Sequence, residues 1–197
     1  MSAVSEPLDT DADLVRRCLA GDEAAFAALL ERHQARVYAF LLRLTGSAPD
    51  AEDLAQVVFL KAFRSLESFD LARPLHSWLL GIAHHAALDF LRARKTDLSL
   101  DHDEAPIDPA DGADGPERLA EASLDGALVE RLLAALPPLY REALLLRHIE
   151  GLSVEEVAAA LGIPEGTAKI RLFRARELMR RKWEAFENNE TREAPRP

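Results

Sequence analysis

The sequence predicts an all-α protein built as two small helical domains joined by a flexible acidic linker. Three observations carry that expectation. Ala and Leu dominate while β-branched and aromatic residues are sparse, a bias that favours helix over sheet. Apolar residues recur at helical spacing along nearly the whole chain, and no strand-like alternation persists. Between the helical stretches, residues 96–116 read TDLSLDHDEAPIDPADGADGP, with three prolines, two glycines and no aromatic residue. Such a segment has too little apolar surface to offset its ordering entropy.

The spacing places helices near 11–20, 23–44, 49–66 and 75–95, then near 118–135, 138–150, 153–161 and 165–186. Pro74, Gly151, Gly162 and the Pro137-Pro138 pair fall between these segments, where chain breakers belong. The expected organisation is therefore a domain over 1–95, a linker over 96–117, a second domain over 118–186 and a disordered tail over 187–197.

Composition narrows the function. The single cysteine, Cys18, excludes an internal disulfide and a cysteine-based zinc cluster. The start of the chain is acidic and polar, unlike a signal peptide. No apolar run approaches the roughly 20 residues a membrane helix needs, so no membrane insertion and a cytoplasmic location are expected. A net charge of −10 argues at first against a nucleic-acid partner. Its distribution answers the objection: residues 97–117 hold eight acids and no Lys or Arg, whereas 165–182 hold seven bases and two acids. Recognition depends on the local field.

Residues 151–182, GLSVEEVAAALGIPEGTAKIRLFRARELMRRK, carry the sharpest signal. Ser153 and Glu156 stand at capping-box spacing, with Leu152 and Val157 placed for a hydrophobic staple. Gly162 can take the left-handed conformation that ends one helix, and Pro164 restarts the chain at the next. These are two short helices joined by a tight turn. On the second, Ala168, Leu172, Ala175 and Met179 form a core-facing stripe. Ile170, Arg174 and Arg181 project the other way, with Thr167, Lys169 and Arg171 on the flanks. A helix with that outer face suits a major groove; a merely solvated basic face is the alternative. Gly166 in the first turn costs about 1 kcal/mol of helix propensity, which a close backbone approach would explain.

The run Leu136–Arg176 closely resembles region 4 of extracytoplasmic-function sigma factors of the sigma-70 family. The resemblance implies that this helix reads the upstream (−35) promoter element, through Glu165, Gly166, Thr167, Lys169, Ile170, Arg171 and Arg174. Two positions depart from the family pattern. Ala168 replaces a larger β-branched residue, and Ile170 replaces a serine, setting an apolar group where a thymine methyl can meet it.

The N-terminal half separates a sigma factor from an ordinary repressor or activator. In 50–69, DAEDLAQVVFLKAFRSLESF, the arc Ala55, Phe59, Ala62, Phe63 and Leu66 suits a core. The opposite face, Asp50, Asp53, Leu54, Val57, Leu60, Lys61 and Arg64, mixes apolar and charged groups as a protein contact does; burial on both sides is the alternative. The segment looks like the family's region 2.2, which docks on the coiled coil of the polymerase's largest subunit. The resemblance assigns polymerase binding to Asp50, Asp53, Leu54, Gln56, Val57, Lys61 and Arg64, with Val57 standing where a glutamate is common.

Residues 73–95, RPLHSWLLGIAHHAALDFLRARK, resemble regions 2.3 and 2.4, which recognise and open the downstream (−10) element. That task needs a pocket for an unstacked base and cations for the backbone. The resemblance points to Phe69, Arg73, Trp78, His85, Arg92, Arg94 and Lys95, with His85 where the family usually has asparagine. Trp78 reads first as a core aromatic and second as a stacking platform.

No cofactor and no metal are expected. His84 and His85 are adjacent and cannot chelate as an i, i+4 pair would, and no phosphate-binding loop, nucleophile elbow or zinc-protease helix occurs. An enzymatic reading has nothing to rest on. The resemblance implies core RNA polymerase (largest-subunit coiled coil and flap), promoter DNA and an anti-sigma factor as partners. Two rivals remain open on residues alone, an operator-binding regulator and a helical adaptor, and dependence on polymerase separates them from a sigma factor.

Overall fold

The computed structural model describes residues 9–96 and 126–193, with side chains described for 9–94 and 126–187. The expected linker beyond Thr96, residues 118–125 of the helix expected over 118–135 and the Lys95 side chain lie outside the described residues. Among the described residues every regular element is helical, and they fall into two compact units, the first essentially the residues up to 91 and the second essentially those from 126 onward.

Side-chain caps set the starts of the first three helices. Thr10 and Asp13 cap each other's backbone ahead of α1 (Asp11–Leu19), Asp22 accepts from Ala24 and Ala25 at the head of α2 (Glu23–Thr45), and Ser47 opens α3 (Ala48–Ser65). Each cap satisfies amide groups that the helix itself leaves unbonded. A 3₁₀ turn, Leu66–Ser68, and an exposed loop lead to α4 (Leu75–Thr96). Val37, Phe40, Leu41, Val58 and Leu80 are fully buried in the core of this unit.

One polar cluster joins α1 to α2. Buried His33 donates from Nε2 to Asp11 Oδ2 at 3.0 Å, while Arg32 donates to Asp11 Oδ1 at 2.6 Å. Burial pushes the His33 imidazole below its ordinary pKa, and the Asp11 carboxylate opposes that only in part.

The second unit comprises α5 (Gly126–Ala134), α6 (Pro138–Leu144), a π-helical turn over Leu145–Ile149, α7 (Val154–Leu161) and α8 (Glu165–Glu193). The segment expected as one helix over 138–150 is thus interrupted: the Glu150 amide donates to the Leu145 carbonyl, five residues back, at 2.9 Å. Leu144, Leu145 and Leu146 are all buried there. Three consecutive residues span over half of a helix's circumference, so this segment is packed on more than one side. Arg141 donates to the carbonyls of Ala134 and Leu136 and closes the turn between α5 and α6.

The expected end near 186 is corrected: α8 continues to Glu193, through residues expected in a disordered tail. No Gly or Pro stands between Lys182 and Ala194, so nothing in the sequence breaks the helix before Pro195.

Candidate functional site

Three surfaces gather the candidate residues, two on the first unit and one on the second. The first lies between α2 and α3. Phe26, Leu30 and Tyr38 from α2 face Phe59, Leu60 and Phe63 from α3 across an open groove, with Gln34, Glu52 and Gln56 among its polar lining. Phe26 and Phe63 pack edge to face, centroids 4.9 Å apart, a geometry that matches ring quadrupoles. Even so, Phe63 is 56% exposed and Leu60 50%.

This arrangement corrects the phase assigned to α3. Its buried row is Ala51, Leu54, Val58, Phe59 and Ala62, continued by Leu66 in the 3₁₀ turn. Leu54, expected to touch the polymerase, is only 7% exposed and belongs to the core, whereas Phe63, expected in the core, faces solvent. The helix carries more large apolar side chains than one core stripe can take, so spacing alone does not fix which arc turns inward. Asp53, Gln56, Val57, Lys61 and Arg64 are exposed and Asp50 is partly so, as an outer face requires. The α2 half of the groove was missed. Its signal was a second i, i+4 row, Phe26, Leu30, Gln34 and Tyr38, beside the buried row Ala25, Leu29, His33 and Val37.

The second surface is the loop 69–74 with the exposed edge of α4. Phe69, expected at DNA, is buried, its ring 5.0 Å from that of half-buried Trp78. The pair anchors the loop, which corrects a direct contact for Phe69 and favours the core reading of Trp78. Asp70 then accepts from the Ala72 amide at 2.9 Å, forming a side-chain turn that leaves Leu71 and Arg73 outward. His85, Arg92 and Arg94 are exposed along α4. The Gly81 carbonyl can only accept, so the His85 Nδ1 at 2.7 Å is the donor of that bond.

The third surface is the outer face of α8. Its approach is built as the sequence indicates. The Ser153 amide donates to Glu156 Oε2 at 2.7 Å, the Glu156 amide donates to Ser153 Oγ at 3.1 Å, and Leu152 and Val157 are fully buried. Gly162 has φ +65°, and the Ile163 amide reaches back to the Ala158 carbonyl at 3.0 Å, the bond that closes a left-handed helix end. Ala168, Leu172 and Ala175 are buried; Met179 is only partly covered.

On the outer side, Glu165, Gly166 and Lys169 are exposed, and Thr167, Ile170 and Arg174 are partly so. Lys169 pairs with Glu165 at 2.7 Å, which holds its ammonium protonated above the usual lysine range. Arg174 lies 4.0 Å from Glu177. Arg171 departs from expectation. Its side chain is 20% exposed, with Nη1 3.7 Å from the carboxylate of buried Glu142 on α6. Position 171 sits about 60° round the helix from Ala168, close enough to the buried stripe for a long side chain to turn inward. Arg171 so placed acts as a strut between α6 and α8, a role the sequence reading did not include. Phe173, unremarked in the sequence, lies on the outer side one turn beyond Gly166 and Ile170 and is partly exposed. Its three- and seven-residue spacing from those positions was the available signal.

Comparison with known proteins identifies the family. Residues 29–96 match the family Sigma-70 region 2, and residues 127–179 match Sigma-70, region 4. The chain is 38% identical over 181 residues to the ECF RNA polymerase sigma-E factor of Escherichia coli K12, covering 88% of this chain and 94% of that protein. It is 31% identical over 175 residues to the ECF RNA polymerase sigma factor SigW of Bacillus subtilis, covering 85% and 93%. Among solved structures it is similar to the sigma factor RpoE from Bartonella quintana, crystallised with the anti-sigma factor NepR. The TM-score is 0.62 at 28% identity, over 81% of this chain and 96% of that one. The chain therefore belongs to the extracytoplasmic-function sigma factors of the sigma-70 family, and it directs transcription initiation at promoters together with RNA polymerase.

Proposed function

We propose a division of labour among the three surfaces. The groove between α2 and α3, with the exposed edge of α3, docks on core RNA polymerase. The loop 69–74 and the outer edge of α4 capture the downstream promoter element. The N-terminal half of α8 enters the major groove of the upstream element, while a neighbouring surface of its unit meets the polymerase flap. The observation that carries this reading is the contrast in what is left uncovered: large apolar side chains at Leu60 and Phe63, and an outer face on α8 bordered by Lys169 and Arg174.

Desolvating exposed apolar side chains drives protein association. Cations on a groove-sized helix exchange counterions with phosphate and set the register in which other side chains meet base edges. An anti-sigma factor that covers these surfaces is the regulatory partner we infer, by analogy with the RpoE–NepR complex. The protein contributes binding energy and DNA opening with no chemical step of its own, and it works in the cytoplasm; no helix among the described residues is long and apolar enough to cross a membrane.

The experiment is reconstituted transcription from a library of promoter sequences, with footprinting of the protein alone and with core enzyme. Specific initiation and upstream protection only in the presence of core support the reading. Full protection of a specific site by the protein alone would mark an ordinary operator-binding regulator.

A further inference from the structure

We infer that Ile170 is a specificity-determining residue that reads the C5 methyl group of a thymine in the upstream promoter element. The inference rests on the proposed docking of α8 and deepens it, by naming the base feature one side chain selects.

Ala168 and Leu172 are buried and fix the inner side of α8. Ile170 stands two residues from each, about 200° round the helix, and so on the opposite side. It is partly exposed there. Gly166 lies one turn before and Phe173 one turn after on the same side, which gives a narrow strip without a charged group. Lys169 borders the strip on one flank and Arg174 on the other, each with an acidic neighbour on its own helix, Glu165 at 2.7 Å and Glu177 at 4.0 Å. A Cβ built at Gly166 meets nothing within 4 Å, so no neighbour inside the protein demands glycine there, and the strip is open to a close approach from outside.

Ile carries neither a donor nor an acceptor. It can distinguish base pairs in a major groove only through apolar contact, and the thymine methyl is the apolar feature displayed there. Removal of that methyl, without any change in hydrogen bonding, isolates the contact.

Holoenzyme formed with the full chain first selects upstream sequences from a randomised library. Each thymine of the selected element is then replaced singly by deoxyuridine, and affinity is measured for wild type and for Ile170→Ala. One position should lose about fourfold with wild type, the worth of one buried methyl group. Ile170→Ala should lose affinity for the thymine duplex yet bind the deoxyuridine duplex as wild type does, within 1.5-fold or so. An upstream element without a methyl-dependent thymine, or a methyl effect of equal size in Ile170→Ala, overturns the inference and leaves the docking of α8 intact. A holoenzyme that selects no upstream sequence overturns that docking, and the inference with it.

Discussion

The groove of the first unit and the outer face of α8 differ in what water and ions do at each. Beside the groove, Leu60 and Phe63 hold apolar surface in solvent at 50% and 56% exposure. On α8 the exposed positions go to Lys169, Arg180 and Arg181, with Arg174 partly exposed, and each pairs with Glu165 or Glu177. A contact of the first kind gains by releasing water and changes little with salt; one of the second gains by releasing counterions and weakens steeply with salt. In the proposed division of labour, the groove and the outer face of α8 would therefore attach in two different ways.

The largest test of the comparison concerns α3, where neighbouring apolar residues have opposite fates. Leu54→Glu should cost more than 3 kcal/mol, since it buries an unpaired carboxylate. Phe63→Glu should cost within about 1 kcal/mol. Chemical denaturation of both variants decides; similar losses would erase the distinction, and a larger loss at Phe63 would return α3 to the phase that spacing alone suggests.

Next in size is the pair Arg171 and Arg174. Arg171→Ala strips buried Glu142 of a neighbouring cation, and a loss of about 2 kcal/mol in stability is expected. Arg174→Ala should leave stability within about 0.5 kcal/mol, lower upstream-element affinity roughly tenfold and reduce the salt slope by about one ion. Equal stability losses would erase the distinction between strut and groove contact.

Acidification probes the first unit. The folded-state pKa of His33 is depressed, so above about pH 6.5 both folded and unfolded chains hold it neutral and it contributes nothing. As pH falls through 6.5 the unfolded chain takes the proton first, and stability declines, by at most about 1.4 kcal/mol per pH unit. His148, exposed but lowered by partial desolvation and then by Arg176 and Arg147, acts weakly in the same direction. Thermal unfolding between pH 7.5 and 5.5 should therefore show a shallower slope in His33→Gln, though not a flat one. An unchanged slope would mean that His33 takes up its proton in the fold as readily as outside it.

The smallest effect is at Gly166. Because nothing lies within 4 Å of a Cβ there, Gly166→Ala should stabilise the second unit by about 0.5–1 kcal/mol through helix propensity. It should also weaken promoter binding severalfold. A variant that is more stable and binds equally well would show that no close approach occurs at this residue.

The sequence made most of the helices and the helix-turn-helix legible, because caps, breakers and a clean polar-apolar division act locally. Ser153, Glu156 and Gly162 do in the structure what their spacing indicates. Legibility failed where a helix has two apolar sides or a long side chain with a choice. On α3 the decision between Leu54 and Phe63 belongs to the helices packed against it. Arg171 turned inward because Glu142, 29 residues earlier, is buried within its reach. Phe26, Leu30 and Tyr38 form an i, i+4 row visible in the sequence, but that row is set across from α3 by tertiary packing, which no local pattern displays.

The most direct test of the account is the affinity of the full chain for core RNA polymerase, measured for wild type and for Leu60→Asp with Phe63→Asp at low and moderate salt. Wild-type affinity should change little with salt, and the double variant should bind at least 100-fold more weakly while unfolding at a temperature close to that of wild type. Unaltered affinity in a folded double variant would contradict the account, since the exposed apolar edge of α3 would then have no part in holding the polymerase.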